Sequence, residues 1–153
     1  QAQPVAAQYQ VKVYFEKPRE GALTVTADPA KLGAAVANLL DNAVKYNVAN
    51  GEVVVRVARE SASPYVQVSV RDTGIGIPED VLPKLFTKFF RTESAVKVAV
   101  EGTGLGLYIT KNIIRRHGGK IWAQSTVGRG TTIFFTLPTD PSLIPAHEYA
   151  DEE

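Results

Sequence analysis

The sequence contains no cysteine and no methionine among its 153 residues. The absence of cysteine excludes a disulfide framework, cysteine-ligated zinc, an iron–sulfur cluster and thiol catalysis. The sequence also lacks an excess of charge of either sign, because its formal net charge is +1. Nucleic acid and anionic membranes are therefore not expected partners. No apolar run approaches the roughly 20 residues of a membrane span, and no signal-peptide pattern opens the chain. We therefore expect a cytoplasmic globular protein without direct membrane contact, which leaves open a membrane anchor elsewhere in a longer parent protein.

The ends of the chain differ in composition from its middle. The sequence begins at Gln1 and has no initiator methionine, so we expect a processed product or an excised piece of a longer protein. The length favours one domain, which we place at residues 11–139. Residues 1–10 are small and polar, and residues 140–153 contain prolines and end in acidic residues. We predict that both are flexible tails.

Hydrophobic periodicity predicts mostly antiparallel strands separated by two long helices. Asp28-Pro29 is typical of a helix start, and Gly118-Gly119 of a helix end. These elements predict an α+β fold, a two-layer α/β sandwich with a mixed sheet covered on one face by helices. The predicted strands are residues 11–16, 23–26, 53–59, 65–71, 120–125 and 131–137; the predicted helices are 29–46 and 105–117, with a helical turn at 78–80.

A polar stripe runs along the first long helix. Asn38, Asn42 and Lys45 fall within a narrow arc away from the apolar face of that helix. Amide oxygens can ligate a hard divalent cation, and a lysine can pair with phosphate oxygens. The stripe is therefore a candidate phosphate site, and an ordinary solvated helix face is the competing interpretation.

Two glycine-rich segments carry further binding potential. In D-T-G-I-G-I-P at 72–78, Asp72 can accept from an exocyclic amine, and the glycines allow backbone to approach a flat ligand. In G-T-G-L-G at 102–106, free N–H groups at the start of the second helix suit phosphates. The second segment matches neither a Walker A loop nor a dinucleotide fingerprint. The alternatives are an ordinary Asp-x-Gly turn and a flexible glycine hinge.

An aromatic segment lies between the two glycine segments. F-T-K-F-F-R at 86–91 is followed by a stretch without clear periodicity that ends in the second set of glycines. This arrangement predicts an anchored lid over about residues 86–104. Core packing is the alternative for the phenylalanines, and we expect it for at least one of them.

The order of these motifs resembles that of sensor histidine kinases. N-L-L-D-N-A-V-K-Y at 38–46, D-T-G-I-G-I-P at 72–78, F-T-K-F-F-R at 86–91 and G-T-G-L-G-L at 102–107 look like the asparagine, first glycine, phenylalanine and second glycine boxes of that family. The segments H-G-G-K-I at 117–121 and G-R-G-T-T-I-F-F-T-L-P at 128–138 resemble its closing segment. The match extends from about residue 28 to residue 138.

The resemblance implies the ATP-binding fold shared by histidine kinases, Hsp90, MutL and type II topoisomerases, with ATP and Mg²⁺ as ligands. By this resemblance Asp72 accepts from the adenine amino group, and Asn42 ligates magnesium with Asn38 lining the same site directly or through water. Lys45 contacts phosphate, and Tyr46 packs near the adenine or ribose. The other implied nucleotide-binding residues are Gly74, Gly76 and Ile77 at the pocket floor, Gly102, Thr103, Gly104, Leu105 and Gly106 at the phosphates, Arg91 and Lys97 in the lid, and Thr131 or Thr132 at the adenine end.

Two further features favour a kinase that lacks its acceptor. ATP-hydrolysing relatives commonly carry glutamate where this chain has Asn38, and an amide has no useful basicity for activating water. Neither His117 nor His147 lies in a phosphoacceptor motif; we expect a capping or surface role for His117 and a solvated one for His147.

The function implied by the resemblance is transfer of the γ-phosphate of Mg-ATP to a histidine on a separate dimerisation and phosphoacceptor domain. The implied partners are the upstream helices of the parent kinase and the receiver domain of a response regulator. The alternatives are a degenerate nucleotide-binding module and a self-sufficient ATPase of the same fold.

Overall fold

The computed structural model describes residues 10–18, 21, 23–59, 62–88 and 106–145. Five strands form one sheet in the order β1-β2-β3-β5-β4. Strand β1 pairs with β2 in parallel, and the other neighbours are antiparallel. The strands are β1 (Lys12–Glu16), β2 (Glu52–Arg59), β3 (Tyr65–Asp72), β4 (Ile121–Thr126) and β5 (Gly130–Pro138).

Helix α1 (Pro29–Lys45) begins as its sequence predicts. The Asp28 side chain accepts hydrogen bonds from the backbone N–H groups of Ala30 and Lys31, and Pro29 occupies the first helical position, where no N–H is needed. The apolar side of the helix, including Leu39 and Val44, is buried against the sheet. Helix α1 therefore forms one half of the layer that covers the sheet.

Helix α2 (Gly106–Arg116) forms the other half of that layer and ends in a Schellman motif. Gly119 N–H donates to the Ile114 carbonyl, and Gly118 N–H donates to the Arg115 carbonyl. Gly118 has a φ of +87°, which a residue with a side chain adopts only at a cost. The predicted Gly-Gly helix end is confirmed.

The hydrophobic core lies between the two helices and one face of the sheet. Its centre is formed by Leu39, Val44, Ile114 and Phe135, each no more than 1% exposed. Phe86, from the aromatic segment, packs against this core, as expected for at least one of the phenylalanines. Phe89 and Phe90 lie outside the described residues. The predicted α+β sandwich is confirmed.

The opposite face of the sheet carries a different set of side chains. Trp122 of β4 stacks on Phe134 of β5, with ring centroids 5.4 Å apart and planes inclined by 12°. On the strand at the far edge, Glu16 forms an ion pair with Arg56 at 2.8 Å. Strand alternation places all four residues on the side away from the core, because the core residues Val13, Val55, Ala123 and Phe135 of the same strands face the other way.

Two predicted elements differ from the structure. Residues 23–26 form no strand; within the described part of the chain their backbone pairs with no strand, and Val25 packs against the core on the way to Asp28. Pro78–Asp80 leads into a helical segment that is placed slightly later, a 3-10 helix at Leu82–Lys84. A second 3-10 helix, Pro141–Leu143, lies in the C-terminal segment, and its end contacts Gly118.

Candidate functional site

Asp72 stands at the end of β3, where the first glycine segment begins. Its Oδ1 accepts two backbone hydrogen bonds, from Gly74 N–H at 2.9 Å and from Thr131 N–H at 3.1 Å. Asp72 makes no other hydrogen bond or ion pair within the described part of the chain, so Oδ2 remains available as an acceptor. The two backbone donors fix the orientation of the carboxylate.

Burial of Asp72 changes its acid–base behaviour. Desolvation raises the pKa of the carboxyl group to about 6, although the hydrogen bonds from Gly74 and Thr131 act in the opposite direction. The carboxylate form is therefore costly in the folded protein and is retained at neutral pH. A desolvated acceptor with a free oxygen is typical of a ligand-binding position.

The glycine segment after Asp72 is held between two other elements. At Gly74, an added Cβ would collide with the Tyr46 carbonyl oxygen and lie 2.9 Å from Asp72 Oδ1. At Gly76, which has a φ of +78°, it would collide with the Thr126 carbonyl oxygen at the β4–β5 hairpin. Both positions therefore require glycine, for space at Gly74 and for space and conformation at Gly76.

Backbone hydrogen bonds hold the same segment in place. Ile75 N–H donates to the Tyr46 carbonyl at 3.1 Å, and Gly128 N–H donates to the Ile75 carbonyl at 2.9 Å. Ile77 N–H donates to Ser125 Oγ at 2.7 Å. The segment thus connects the end of helix α1 to the β4–β5 hairpin.

The two threonines of β5 lie on different faces of the sheet. Thr131 is buried on the helix-covered face, next to Asp72, and its hydroxyl lies 2.7 Å from Ser125 Oγ. Thr132 pairs with the exposed residue Arg71 on the opposite face. Of the two, only Thr131 shares a face with Asp72.

The polar stripe of α1 begins at Asn38, where this helix meets the first turns of α2. Asn38 Nδ2 donates to Thr110 Oγ1 of α2 at 3.5 Å, and a Cβ added to Gly106 would lie 4.0 Å from Asn38 Cγ. Asn42 is half-buried, and its side chain makes no hydrogen bond within the described residues. Lys45 pairs with Asp41 one turn earlier, at 3.2 Å.

Helix α1 therefore contacts the first glycine segment and lies close to Gly106, the last residue of the second. Its middle meets the first turns of α2 at Asn38, and its C-cap residue Tyr46 meets the first glycine segment. These two contacts are separated by about 12 Å along the helix axis. Gly106 is the one residue of the second segment that is described; Arg91, Lys97, Gly102, Thr103, Gly104 and Leu105 lie outside the described residues.

His117 is buried, contrary to the surface role considered for it. Its Nε2 accepts from Asp28 N–H at 3.0 Å, and its Nδ1 lies 2.8 Å from the Ile113 carbonyl. Because Nε2 must accept, Nδ1 carries the proton and donates. His117 therefore caps the end of α2 and also joins it to the start of α1. His147 lies outside the described residues.

Sequence reasoning missed Ser125 and Thr110. Both are polar residues at positions that periodicity assigns to the buried side of an element; Thr110 is fully buried in α2, and Ser125 shares its strand face with Ile121 and Ala123. A polar residue at such a position signals a buried hydrogen bond, because an unpaired one would be costly.

Comparison with known proteins agrees with this architecture. A family model described as histidine kinase-, DNA gyrase B- and HSP90-like ATPase matches residues 27–141. The catalytic domain of the histidine kinase ThkA, in a nucleotide-free form, superposes with a TM-score of 0.78 at 30% identity, over 93% of this chain and 88% of that one. The chain therefore belongs to the histidine kinase-, DNA gyrase B- and HSP90-like ATPase family.

Within this family the similar proteins are sensor histidine kinases. The chain is 41% identical over 116 residues to the sensor histidine kinase WalK of Bacillus subtilis, covering 76% of this chain and 19% of WalK. It is 44% identical over 119 residues to the circadian input-output histidine kinase CikA of Synechococcus elongatus, covering 78% of this chain and 16% of CikA. The chain thus spans less than a fifth of the length of either relative.

Two features are absent from the described residues. Neither helix in those ranges combines the length and the apolar character needed to cross a membrane. The same ranges contain no cluster of three or more histidine, cysteine or acidic residues suited to a metal ion.

Proposed function

We propose that this chain is the ATP-binding half of a histidine kinase. It binds Mg-ATP and donates the γ-phosphate to a histidine on a separate dimerisation and phosphoacceptor domain. The observation that supports this best is the position of helix α1, which contacts helix α2 at Asn38 and the first glycine segment at its C-cap residue Tyr46. This position aligns the stripe of Asn38, Asn42 and Lys45 between a base-type acceptor and a helix N-terminus.

The base end of the site is centred on Asp72. Its free Oδ2 accepts from the adenine amino group. Gly74 and Gly76 shape the pocket floor, because they allow the segment to pack against the Tyr46 and Thr126 carbonyls. Thr131 supports the adenine end from the same sheet face. Ile77 contributes to the pocket floor, and Tyr46 packs near the adenine or ribose.

The phosphate end is centred on the polar stripe. Asn38 uses its Nδ2 toward Thr110, so its Oδ1 is free to face a cation or its water, and Asn42 supplies a second amide oxygen. Magnesium, when bound, would neutralise phosphate charge. Lys45 pairs with phosphate. Backbone N–H groups of residues 102–106 bind the phosphates, and Arg91 and Lys97 contact them from the lid.

The contribution of this chain to phosphoryl transfer is positioning and charge neutralisation. Asn38 cannot act as a general base, so transfer of the γ-phosphate to water is slow and bound ATP stays intact until an acceptor histidine is present. The acceptor is the histidine of the parent kinase, and the phosphoryl group passes next to the receiver domain of a response regulator. A solved complex of ThkA with the response regulator TrrA supports that partner class, at a TM-score of 0.73 and 29% identity over 92% of this chain and 38% of that one.

The first test is nucleotide binding by calorimetry with the wild-type chain and Asp72→Asn. The amide can donate as well as accept, so it presents the wrong group to an amine; we expect the affinity for ATP to fall by about tenfold to a hundredfold. Unchanged affinity in the variant would remove Asp72 from the site. A wild-type chain that does not bind ATP would contradict the proposal and favour a module that merely keeps the fold.

The second test follows the γ-phosphate. Radiolabelled ATP is incubated with this chain alone and with the chain joined to phosphoacceptor helices, and phosphoprotein and released phosphate are both measured. We expect labelled protein only when the acceptor is present. Strong self-phosphorylation of the isolated chain would overturn the proposal, and rapid phosphate release without an acceptor would favour a self-sufficient ATPase.

A further inference from the structure

Ser125 makes three hydrogen-bond contacts with its side-chain oxygen. Ile77 N–H donates to Ser125 Oγ at 2.7 Å. The Gly130 carbonyl oxygen lies 2.8 Å from the same atom, and Thr131 Oγ1 lies 2.7 Å from it. One hydroxyl therefore connects the first glycine segment, the β4–β5 hairpin and the threonine beside Asp72.

These distances fix where the hydroxyl protons lie. A carbonyl oxygen can only accept, so the Ser125 hydroxyl donates its one proton to the Gly130 carbonyl. Ser125 then has no proton left to donate to Thr131, and in the contact between the two hydroxyls Thr131 is the donor. Thr131 is thus committed as a donor to Ser125, and its oxygen offers only lone pairs to anything else.

The Asp72 carboxylate, like the remaining lone pairs of the Thr131 hydroxyl, can only accept hydrogen bonds. Its Oδ1 accepts from two backbone N–H groups, and its Oδ2 is an acceptor without a partner in the described residues. Thr131 and Asp72 are neighbours, because the Thr131 N–H is one of those two donors. The side chains at this end of the site therefore form an edge that accepts hydrogen bonds and donates none.

We propose that Ser125 determines base specificity by holding the Thr131 hydroxyl in its non-donating orientation. This inference rests on the proposed function, in which a purine nucleotide binds at Asp72. At position 6 of the purine, a 6-aminopurine brings N–H donors to the acceptor edge, whereas a 6-oxopurine brings an oxygen whose lone pairs face other lone pairs. Ser125 touches no nucleotide atom in this account and acts through Thr131, so it is a positioning residue.

The test compares ATP with inosine triphosphate, which carries a 6-oxo group in place of the amine. Dissociation constants are measured by calorimetry for the full chain and for Ser125→Ala, Thr131→Val and the double variant. In Ser125→Ala the Thr131 hydroxyl is released and can donate to the 6-oxo oxygen. We expect the preference for ATP over inosine triphosphate to fall by about tenfold, with weaker ATP binding and tighter inosine triphosphate binding.

The double variant separates positioning from general damage. In the Thr131→Val background there is no hydroxyl to orient, so we expect Ser125→Ala to leave the nucleotide preference unchanged. Ser69→Ala is the matched control, because Ser69 lies on β3, next to the strand of Thr131, with its side chain on the opposite face of the sheet. It should not change the preference. The ratio of two dissociation constants does not depend on the folded fraction, so partial unfolding does not obscure the result.

Two results would overturn the inference while ATP binding by the wild-type chain supports the proposed function. One is an equal loss of affinity for both nucleotides in Ser125→Ala, which indicates a structural role alone. The other is a change of preference that persists in the Thr131→Val background. A wild-type chain that binds neither nucleotide would instead contradict the proposed function itself and the inference with it.

Discussion

The base end and the phosphate end of the candidate site are built differently. At the base end, backbone groups fix Asp72 and Ile75, the Ser125 hydroxyl holds the Ile77 N–H, and the positions of Gly74 and Gly76 have no room for a side chain. At the phosphate end, the described groups are side chains of one helix, with Lys45 paired to Asp41 at a half-exposed position. The base end is therefore preorganised by the fold, whereas the phosphate end depends on side chains that can reorient. Substitutions that add a side chain to a glycine should cost stability at the first end far more than at the second.

The largest contrast is expected between two glycines. Gly76→Ala combines a positive φ with a collision against the Thr126 backbone, and we expect a loss of about 3 kcal/mol in the free energy of unfolding. Gly106→Ala meets nothing nearer than Asn38 Cγ at 4.0 Å and lies at the start of a helix, so its effect should be near zero. Urea denaturation of the two variants checks this. Equal losses would show that the base end is not the more rigid one.

The second contrast concerns the charge of Asp72. Folding raises its pKa from 3.8 to about 6, so the folded protein binds more protons than the unfolded chain between these values. This group therefore favours folding increasingly as pH falls from about 7 to about 4, and its charge opposes folding at neutral pH. Asp72→Asn removes the charge, and we expect the variant to be more stable than wild type at pH 7.5 by on the order of 2 kcal/mol.

Other carboxyl groups also titrate in this range, so the measured quantity is the stability difference between wild type and Asp72→Asn at each pH. The difference should shrink as pH falls through about 6 and vanish near pH 4. ATP binding by wild type should weaken over the upper part of the same interval, because a protonated carboxyl is a poorer acceptor. A stability difference between wild type and Asp72→Asn that does not change with pH would contradict the burial of a charged carboxylate at Asp72.

The smallest effect is expected at the phosphate end. Asp41→Asn removes the i,i+4 ion pair with Lys45, and such pairs at exposed positions contribute about 0.3–0.5 kcal/mol. We expect thermal unfolding to shift by no more than a few degrees, and the shift to shrink further in high salt. A loss as large as that of Gly76→Ala would show that this end is as tightly built as the other.

The fold could be predicted from the sequence where local patterns and tertiary structure agree. Asp28-Pro29 begins α1 and Gly118-Gly119 ends α2 because capping chemistry is local. Residues 23–26 were predicted wrongly, since alternation there comes from Val25 reaching the core, without any strand partner in the described residues. Pairing is a long-range property that alternation alone does not determine.

The motifs of the candidate site could be predicted from the sequence, but the contacts that hold them in place could not. Asp72 and the glycines could be chosen from spacing and resemblance, but the choice between Thr131 and Thr132 required the register of β5 against β3. The hydrogen bond between Asp28 and His117 joins residues 89 positions apart in the sequence, and the one between Asn38 and Thr110 joins residues 72 positions apart. Such contacts join elements that only the folded chain brings together.

The stacked pair on the far side of the sheet has a practical consequence. Trp122 is the only tryptophan in the sequence, and it lies against Phe134 on the face opposite Asp72 and Thr131. Its fluorescence should therefore report the integrity of the β4–β5 hairpin and respond little to what occupies the nucleotide side. Trp122 is therefore an intrinsic fluorescent probe of unfolding. The sheet separates it from the face of Asp72 and Thr131, so a ligand bound on that face should not disturb its signal.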